Sequence, residues 1–194
     1  MSERLLVIAG PSGVGKTSVV AAMSQLIAMK RVITCTTRAP RPGEIDGVHY
    51  RFLPRENFLA RLKRHEFAEH ATVHQNLYGT LREDINHQAS CKEAVLLILD
   101  IQGVEAIAKL YPEAQTFFLT APMAQLIRRL KQRETDEQLL KLRIKALREE
   151  MLGAKSPAIK NIISNGDGEL EKAAKQICDI VEKNVGYSLK RKKK

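Results

Sequence analysis

Long apolar runs are missing from this chain: nowhere do consecutive hydrophobic residues approach the ~18 that a membrane-spanning helix needs. The apolar stretch behind Met1-Ser2-Glu3-Arg4 is only five residues long, too short for the core of a secretory signal. Cysteine is scarce and odd in number. Cys35, Cys91 and Cys178 are too widely spaced for a disulfide framework or a zinc ribbon. These absences make a reducing cytoplasm the expected compartment and remove the membrane as an expected partner. His65, Glu69, His70 and His74 lie close together but match neither H-E-x-x-H nor H-x-x-E-H, so no metal site is expected there. Internal repeats are absent, and so are low-complexity tracts outside the C-terminal tail.

What is present is ordinary globular material: 194 residues, 44% hydrophobic and 28% charged, enough for one core with insertions. The formal net charge is +10, but Lys190-Arg191-Lys192-Lys193-Lys194 supplies five of those charges. Such a run reads first as a solvated tail, with a contact to RNA or another polyanion as the alternative. The remaining excess is modest and suits a protein that handles phosphorylated small molecules; nucleic acid is not an expected partner.

Apolar runs and helical periodicities alternate. Leu5 to Ala9 reads as a buried strand, Val32 to Thr36 as a β-branched one, and Val95 to Leu99 and Thr116 to Leu119 as two more, with Ile162-Ile163 as the last. Between them, Val19, Met23, Leu26 and Ile27 fall at helical spacing, and a helix is expected from Gly103. Pro122 opens a helix with Met123, Leu126, Ile127 and Leu130 on one face. Leu140, Ile144, Leu147 and Met151 mark a further helix, and Leu170, Ala173, Ile177 and Ile180 the final one. Buried strands separated by helices indicate a parallel α/β sheet. Residues 37–84 break the rhythm with Pro-Gly, Asp-Gly and Tyr-Gly turns and most of the histidines, and read as an insertion with its own small sheet. Charge is dense over residues 128–150, where a break is expected at Glu134-Thr135-Asp136; a solvated face and a mobile lid both fit.

Gly10-Pro11-Ser12-Gly13-Val14-Gly15-Lys16-Thr17 matches G-x4-G-K-[ST], with an apolar strand before it and a helical pattern after. Glycines let backbone N–H groups turn inward onto phosphate oxygens, and the helix N-terminus adds favourable potential. Lys16 is expected to reach the β- and γ-phosphates and Thr17 to hold Mg²⁺ through its hydroxyl, which predicts a nucleoside triphosphate ligand. GTPases, motor ATPases and small-molecule kinases all carry such a loop.

Downstream, Thr34-Cys35-Thr36-Thr37-Arg38-Ala39-Pro40-Arg41-Pro42-Gly43-Glu44 holds two arginines stiffened by prolines, suited to bidentate phosphate binding. Asp46 to Phe52, Glu66-Phe67-Ala68-Glu69 and Asn76-Leu77-Tyr78-Gly79-Thr80 follow. Together with Gln102-Gly103 and Arg129-Leu130-x-x-Arg133-x-Thr135-Asp136, these motifs in this order resemble the guanylate kinase family, from about residue 4 to about residue 165.

The resemblance implies the three-layer α/β fold of P-loop NTPases, a five-stranded parallel sheet of order 2-3-1-4-5, a small mixed α+β GMP-binding insertion and a helical lid. The segments would be core with the phosphate loop (1–33), insertion (34–84), core (85–125), lid (126–150), core (151–189) and basic tail (190–194). It implies transfer of the γ-phosphoryl group of ATP to GMP or dGMP, with Mg²⁺. Arg38, Arg41, Tyr50 and Tyr78 would hold the GMP phosphate, and Thr34, Glu69, Thr80 and Asp100 would read guanine. Arg133 and Arg143 would come from the lid onto the transferring phosphates, and Asn165 would lie near adenine. The expected catalytic set is Lys16, Arg38, Asp100, Arg133 and Arg143. Guanine suits these residues: its N1–H and N2–H₂ are adjacent donors for one carboxylate, whereas adenine would face that carboxylate with a lone pair.

Three positions depart from the family pattern. Counted back from Gln102-Gly103, Ile98 stands where the first acidic residue of D-I-D-x-Q-G falls and Asp100 where the second does, whereas a two-residue gap would make Asp100 the first; Glu134 replaces the lid glycine, and Gln75 replaces the glycine before Asn-x-Tyr-Gly. The interval to Arg143 is also one residue short. A divergent kinase of another phosphorylated acceptor, and a catalytically weak binding protein of the same fold, are therefore the rival expectations. Tyr50, Phe52, Phe58 and Phe67 are expected as the small core of the insertion, with Tyr50 also a ligand. Cys35 is expected as a neutral buried thiol, and Arg128 and Arg129 as solvated or counter-charged.

Overall fold

The computed structural model describes residues 4–73, 75–89 and 93–185. Cys91, His74 and the Lys190–Lys194 tail therefore lie outside the described residues. In chain order the elements begin with β1 (Leu5–Ala9), α1 (Lys16–Met23), β2 (Met29–Arg31), β3 (Cys35–Thr36), β4 (Arg51–Phe52) and α2 (Arg55–Lys63). Next come β5 (Phe67–Val73), β6 (Asn76–Leu81), α3 (Arg82–Ala89), β7 (Ala94–Ile98), α4 (Ile101–Leu110) and β8 (Gln115–Thr120). The chain continues with α5 (Met123–Arg133), α6 (Glu137–Leu152), β9 (Asn161–Ser164) and α7 (Leu170–Val185). None of the described helices is long and apolar enough to cross a membrane.

The strands pair into two sheets, one of order β2-β7-β1-β8-β9 and one of order β4-β3-β6-β5. In the larger sheet the β2/β7 and β8/β9 pairs run parallel. Every residue of β1 is buried, as five successive apolar residues require of a strand covered on both faces. The chain packs as two compact units. One comprises Met1–Val7 and Met29–Ala114; the other comprises Ile8–Ala28 and Gln115–Lys194.

Val32 to Thr36 is not one strand. β2 ends at Arg31 in the larger sheet, and β3 begins at Cys35 in the smaller one. Val32 still donates to the Leu96 carbonyl oxygen at 2.9 Å, after which the chain leaves one ladder to join another. A β-branched run marks extended backbone without saying which partner strand it meets. The helix expected from Gly103 starts earlier, at Ile101. Asp100 caps it, accepting from the Gly103 N–H at 2.8 Å. The break at residues 134–136 is observed between α5 and α6.

In the first unit the small sheet closes its own core. Cys35, Phe58, Phe67, Leu77 and Leu81 are buried together, flanked by Leu53 and Leu62. Phe58 and Phe67 stack with ring centroids 4.4 Å apart, so both belong to this core as expected. Burial raises the Cys35 thiol to about 11, leaving it neutral. In the second unit α7 packs on α1, with Ala173, Ala174, Ile177, Cys178 and Val181 buried along one helical face.

Candidate functional site

In the second unit the strand-to-helix turn behind β1 carries the glycine loop. Gly15 sits at φ +92°, just before α1, and a Cβ there would come within 2.8 Å of the Asn165 side-chain nitrogen. Only glycine combines that left-handed backbone with that close approach. The Lys16 Nζ donates to the Gly10 carbonyl oxygen at 2.6 Å and to that of Pro11 at 3.3 Å, so its charge is drawn across the loop. Gly13 and Val14 complete the curve, Val14 buried and Gly13 at φ +80°. Thr17 follows in the first turn of α1.

Three residues brace this loop from a distance. The buried Asn165 donates from Nδ2 to the Val14 carbonyl oxygen at 2.7 Å. Arg129 donates to the Asn165 carbonyl oxygen at 3.2 Å and to those of Gly13 and Val14 at 3.5 and 3.4 Å, and it pairs with Asp167 at 3.0 Å. Glu150 of α6 accepts from the Ser12 N–H at 2.6 Å and from its hydroxyl at 3.2 Å. Arg128 also pairs with Asp167. Both arginines are thus counter-charged, but Arg129 in addition ties the loop to the Asn165 segment. In the sequence Arg129 showed only as part of the lid motif and as a solvated or counter-charged side chain, and Glu150 did not stand out at all, because Glu150 and Ser12 are 138 positions apart.

The first unit presents a polar face on its small sheet. β5 pairs β6 with a bulge between Phe67 and Glu69, so Phe67 opposes Leu81 while Glu69 opposes Thr80. Strict alternation would leave Glu69 on the apolar face with Phe67; the extra residue moves it onto the face of Thr80 and Tyr78. There Thr80 donates its hydroxyl to Glu69 Oε1 at 2.5 Å, and both side chains are buried. Burial pushes the Glu69 carboxyl up to about 7; the Thr80 hydrogen bond opposes this and the charge of Asp100 adds to it. Gly103 lies against it: a Cβ there would stand 3.0 Å from Glu69 Oε2. Thr34 is buried, and β3 alternation sends it, with Thr36, to the same face as Tyr78, since Thr36 opposes Tyr78 and Cys35 opposes Gly79.

Beside these hydroxyls stands a ring of aromatic and basic groups. Tyr50 lies 5.9 Å from Phe52 and 6.0 Å from Tyr78, centroid to centroid. Arg38 rests over Tyr50 at 5.4 Å and over Phe52 at 5.8 Å. Its Nη2 donates to both Glu44 oxygens, at 2.8 and 2.9 Å. Glu44 also accepts from the Arg41 N–H at 2.7 Å. Burial opposes ionisation of Glu44, but the Arg41 N–H and the Arg38 guanidinium outweigh it and hold the carboxyl below its ordinary range. The Arg41 residue is exposed.

In the break after α5, Glu134 pairs with Arg143 of α6 at 3.3 Å. Arg133 ends α5, and its side chain lies outside the described residues. Among the described residues no three His, Cys, Asp or Glu side chains gather as a metal cage. The structure therefore brings Glu69, Thr80, Asp100 and Gly103 together in one unit, with Arg38, Tyr50 and Tyr78 as a second cluster there. Lys16, Ser12 and Asn165 come together in the other.

A lysine-bearing glycine loop between a buried strand and a helix, on a twin-sheet α/β fold, defines a P-loop nucleotide-binding protein. The guanylate kinase family model matches residues 2–184, and the chain belongs to the guanylate kinase family. It is 37% identical over 183 residues to a guanylate kinase of Fusobacterium nucleatum, covering 93% of this chain and 97% of that protein. It is 39% identical over 181 residues to a guanylate kinase of Nitrosomonas europaea, covering 92% and 88%. The crystal structure of guanylate kinase from Anaplasma phagocytophilum superposes with a TM-score of 0.75 at 25% identity, covering 93% of this chain and 86% of that one.

Proposed function

We propose that this protein is an ATP:GMP phosphotransferase, moving the γ-phosphoryl group of ATP to GMP or dGMP and releasing ADP and GDP. The buried Glu69 carboxylate beside Thr80 carries the reading, because a phosphate loop alone fits many reactions. Ionised, that carboxylate accepts from guanine N1–H and N2–H₂ together, while Thr34 and Asp100 complete the reading of the base. Adenine would leave the carboxylate and its own N1 unpaired, a loss that discriminates by ~10⁴-fold or more in sites of this kind.

ATP belongs on the second unit, its phosphates on the loop of residues 10–17 with Lys16 swinging from loop carbonyls to phosphate oxygens, and Asn165 near the adenine. GMP belongs on the insertion of residues 34–84, its phosphate held by Arg38, Arg41, Tyr50 and Tyr78. Arg133 and Arg143, from the lid of residues 126–150, close onto the transferring group. An oxygen of the GMP phosphate attacks the γ-phosphorus as the bond to the β–γ bridging oxygen breaks, and ADP leaves with that electron pair. The nucleophile is already an anion, so these residues align, neutralise charge and exclude water rather than move protons.

Thr17 offers a hydroxyl that makes no hydrogen bond among the described residues, a hard oxygen donor fit for Mg²⁺, which keeps several waters and needs few protein ligands. When bound there, the ion neutralises charge on the β- and γ-phosphate oxygens. The cytoplasm is the proposed compartment, where GDP made here feeds GTP supply.

A coupled ADP-release assay with ATP, Mg²⁺ and GMP, dGMP, IMP, AMP, CMP or UMP tests the reading. Turnover confined to GMP and dGMP is expected. Turnover with a different acceptor, or none with any of the six in protein that binds GMP, would overturn it in favour of the divergent kinase or the silent binding protein.

A further inference from the structure

Arg31 closes β2, a position with no sequence signal to set it apart. Its Nη2 donates to the His49 carbonyl oxygen at 2.9 Å, and its guanidinium carbon lies 5.9 Å from the centre of the Tyr50 ring. Arg38 lies over that same ring at 5.4 Å. The Nε of Arg31 is buried without a hydrogen-bond partner among the described residues. Other arginines of this unit face carboxylates: Arg38 with Glu44, Arg51 with Asp84 at 3.1 Å, and Arg61 and Arg64 with Glu66. Arg31 faces none among the described residues. Burial accordingly lowers its pKa from the ordinary value, Tyr50 opposing the shift, yet an arginine stays charged.

A half-buried cation with an unfilled donor and no counter-ion is costly unless something supplies the anion. The charge balance around Tyr50 says what is missing. Arg38 is engaged by both oxygens of Glu44, so that pair is neutral before any ligand arrives. The exposed Arg41 alone is a thin counterweight to a phosphate monoester that is nearly doubly ionised at neutral pH.

We propose that Arg31 is a further binding residue for the acceptor's phosphate, supplying beside Tyr50 the positive charge that the Arg38–Glu44 pair does not. The inference rests on the reading of this face as the GMP site, and it concerns the phosphate, not the base. Arg31 thereby favours phosphorylated guanosine over guanosine itself. Holding the His49 carbonyl is its second duty, and the two are separable.

Isothermal titration of GMP and of guanosine onto wild type, Arg31→Met and Arg31→Gln separates them; the glutamine keeps a donor for His49 but removes the charge. Both variants should bind GMP about tenfold or more weakly, the scale of a lost charge-assisted contact, and bind guanosine as wild type does. Equal weakening of GMP and guanosine would make Arg31 a brace for the loop before Tyr50 and overturn the proposal. So would unchanged GMP affinity, or failure of both variants to fold. Wild-type protein that binds no GMP would instead sink the functional reading, and this inference with it.

Discussion

The Glu134 carboxylate lies 3.3 Å from the Arg143 guanidinium, with only 14% and 15% of the two side chains exposed. Glu134 sits where the family pattern has glycine, so the contact is a consequence of this chain's own substitution. Under the proposed function Arg143 serves the transferring phosphates, and Glu134 competes with them. Glu134→Gly should raise kcat/KM for ATP roughly two- to fivefold, the scale of a modest ion pair, measured by initial rates at saturating GMP. A drop instead would make Glu134 a residue that positions Arg143.

Recognition of guanine should depend on pH through Glu69. Its carboxyl titrates at about 7 rather than the ordinary 4.5 because it is buried, and only the ionised form accepts guanine's two donors. Affinity should therefore be full above pH 7 and fall about tenfold for each unit below it. Guanosine, whose binding carries no phosphate titration, is the ligand to use. Without ligand the sign reverses for folding: the proton is bound more tightly in the folded state, so Glu69's contribution to stability is full below pH 4.5 and lost as pH rises through 7. A guanosine affinity flat from pH 5.5 to 8 would remove Glu69 from base recognition.

Glu150 anchors the phosphate loop through Ser12. A carboxylate acceptor at 2.6 Å from a backbone N–H is a charge-assisted bond, worth about 1.5–3 kcal/mol. Glu150→Ala should loosen the loop, raising KM for ATP about tenfold or more and leaving KM for GMP nearly unchanged. An ATP KM within twofold of wild type would show that the loop keeps its shape without this tie.

Helix α6 starts from Asp136, whose carboxylate accepts from the Gln138 N–H at 2.8 Å and the Leu139 N–H at 3.0 Å. Asp136→Ala removes this cap and should cost about 1 kcal/mol, a fall of about 2–4 °C in Tm for a chain of this size. Differential scanning calorimetry reads it directly, and Asp136→Asn, whose side-chain oxygen can still accept from these N–H groups, should recover most of the loss.

Much of the fold was legible because its signals are local. β1, β7 and β8 are runs apolar enough to be buried on both faces, and the break at residues 134–136 follows from a polar interruption between two amphipathic stretches. The phosphate loop was readable for the same reason: loop, lysine and flanking elements occupy one continuous segment. β3 and β4 were not readable as they stand. Each is two residues long and exists only through the ladder to its neighbour, so propensity alone ran β3 back to Val32 and passed over β2 at Met29–Arg31. The arginines sorted themselves just as poorly. Arg129 and Arg128 are adjacent and alike in sequence, yet only Arg129 reaches the carbonyl oxygens of Gly13 and Val14.

The sequence by itself determined the phosphate loop, the alternation of strands and helices, and the identities of the groups fit to hold phosphate and guanine, because each depends on neighbours along the chain. Tertiary structure alone decided where those groups aim. The bulge at Phe67–Glu69 turns Glu69 from the apolar face onto that of Thr80, and Glu134 comes to rest against Arg143. Arg31 ends beside Tyr50 with no carboxylate among the described residues. Register, charge pairing and the absence of a partner are relations between distant segments, and they acquire values only once those segments are packed.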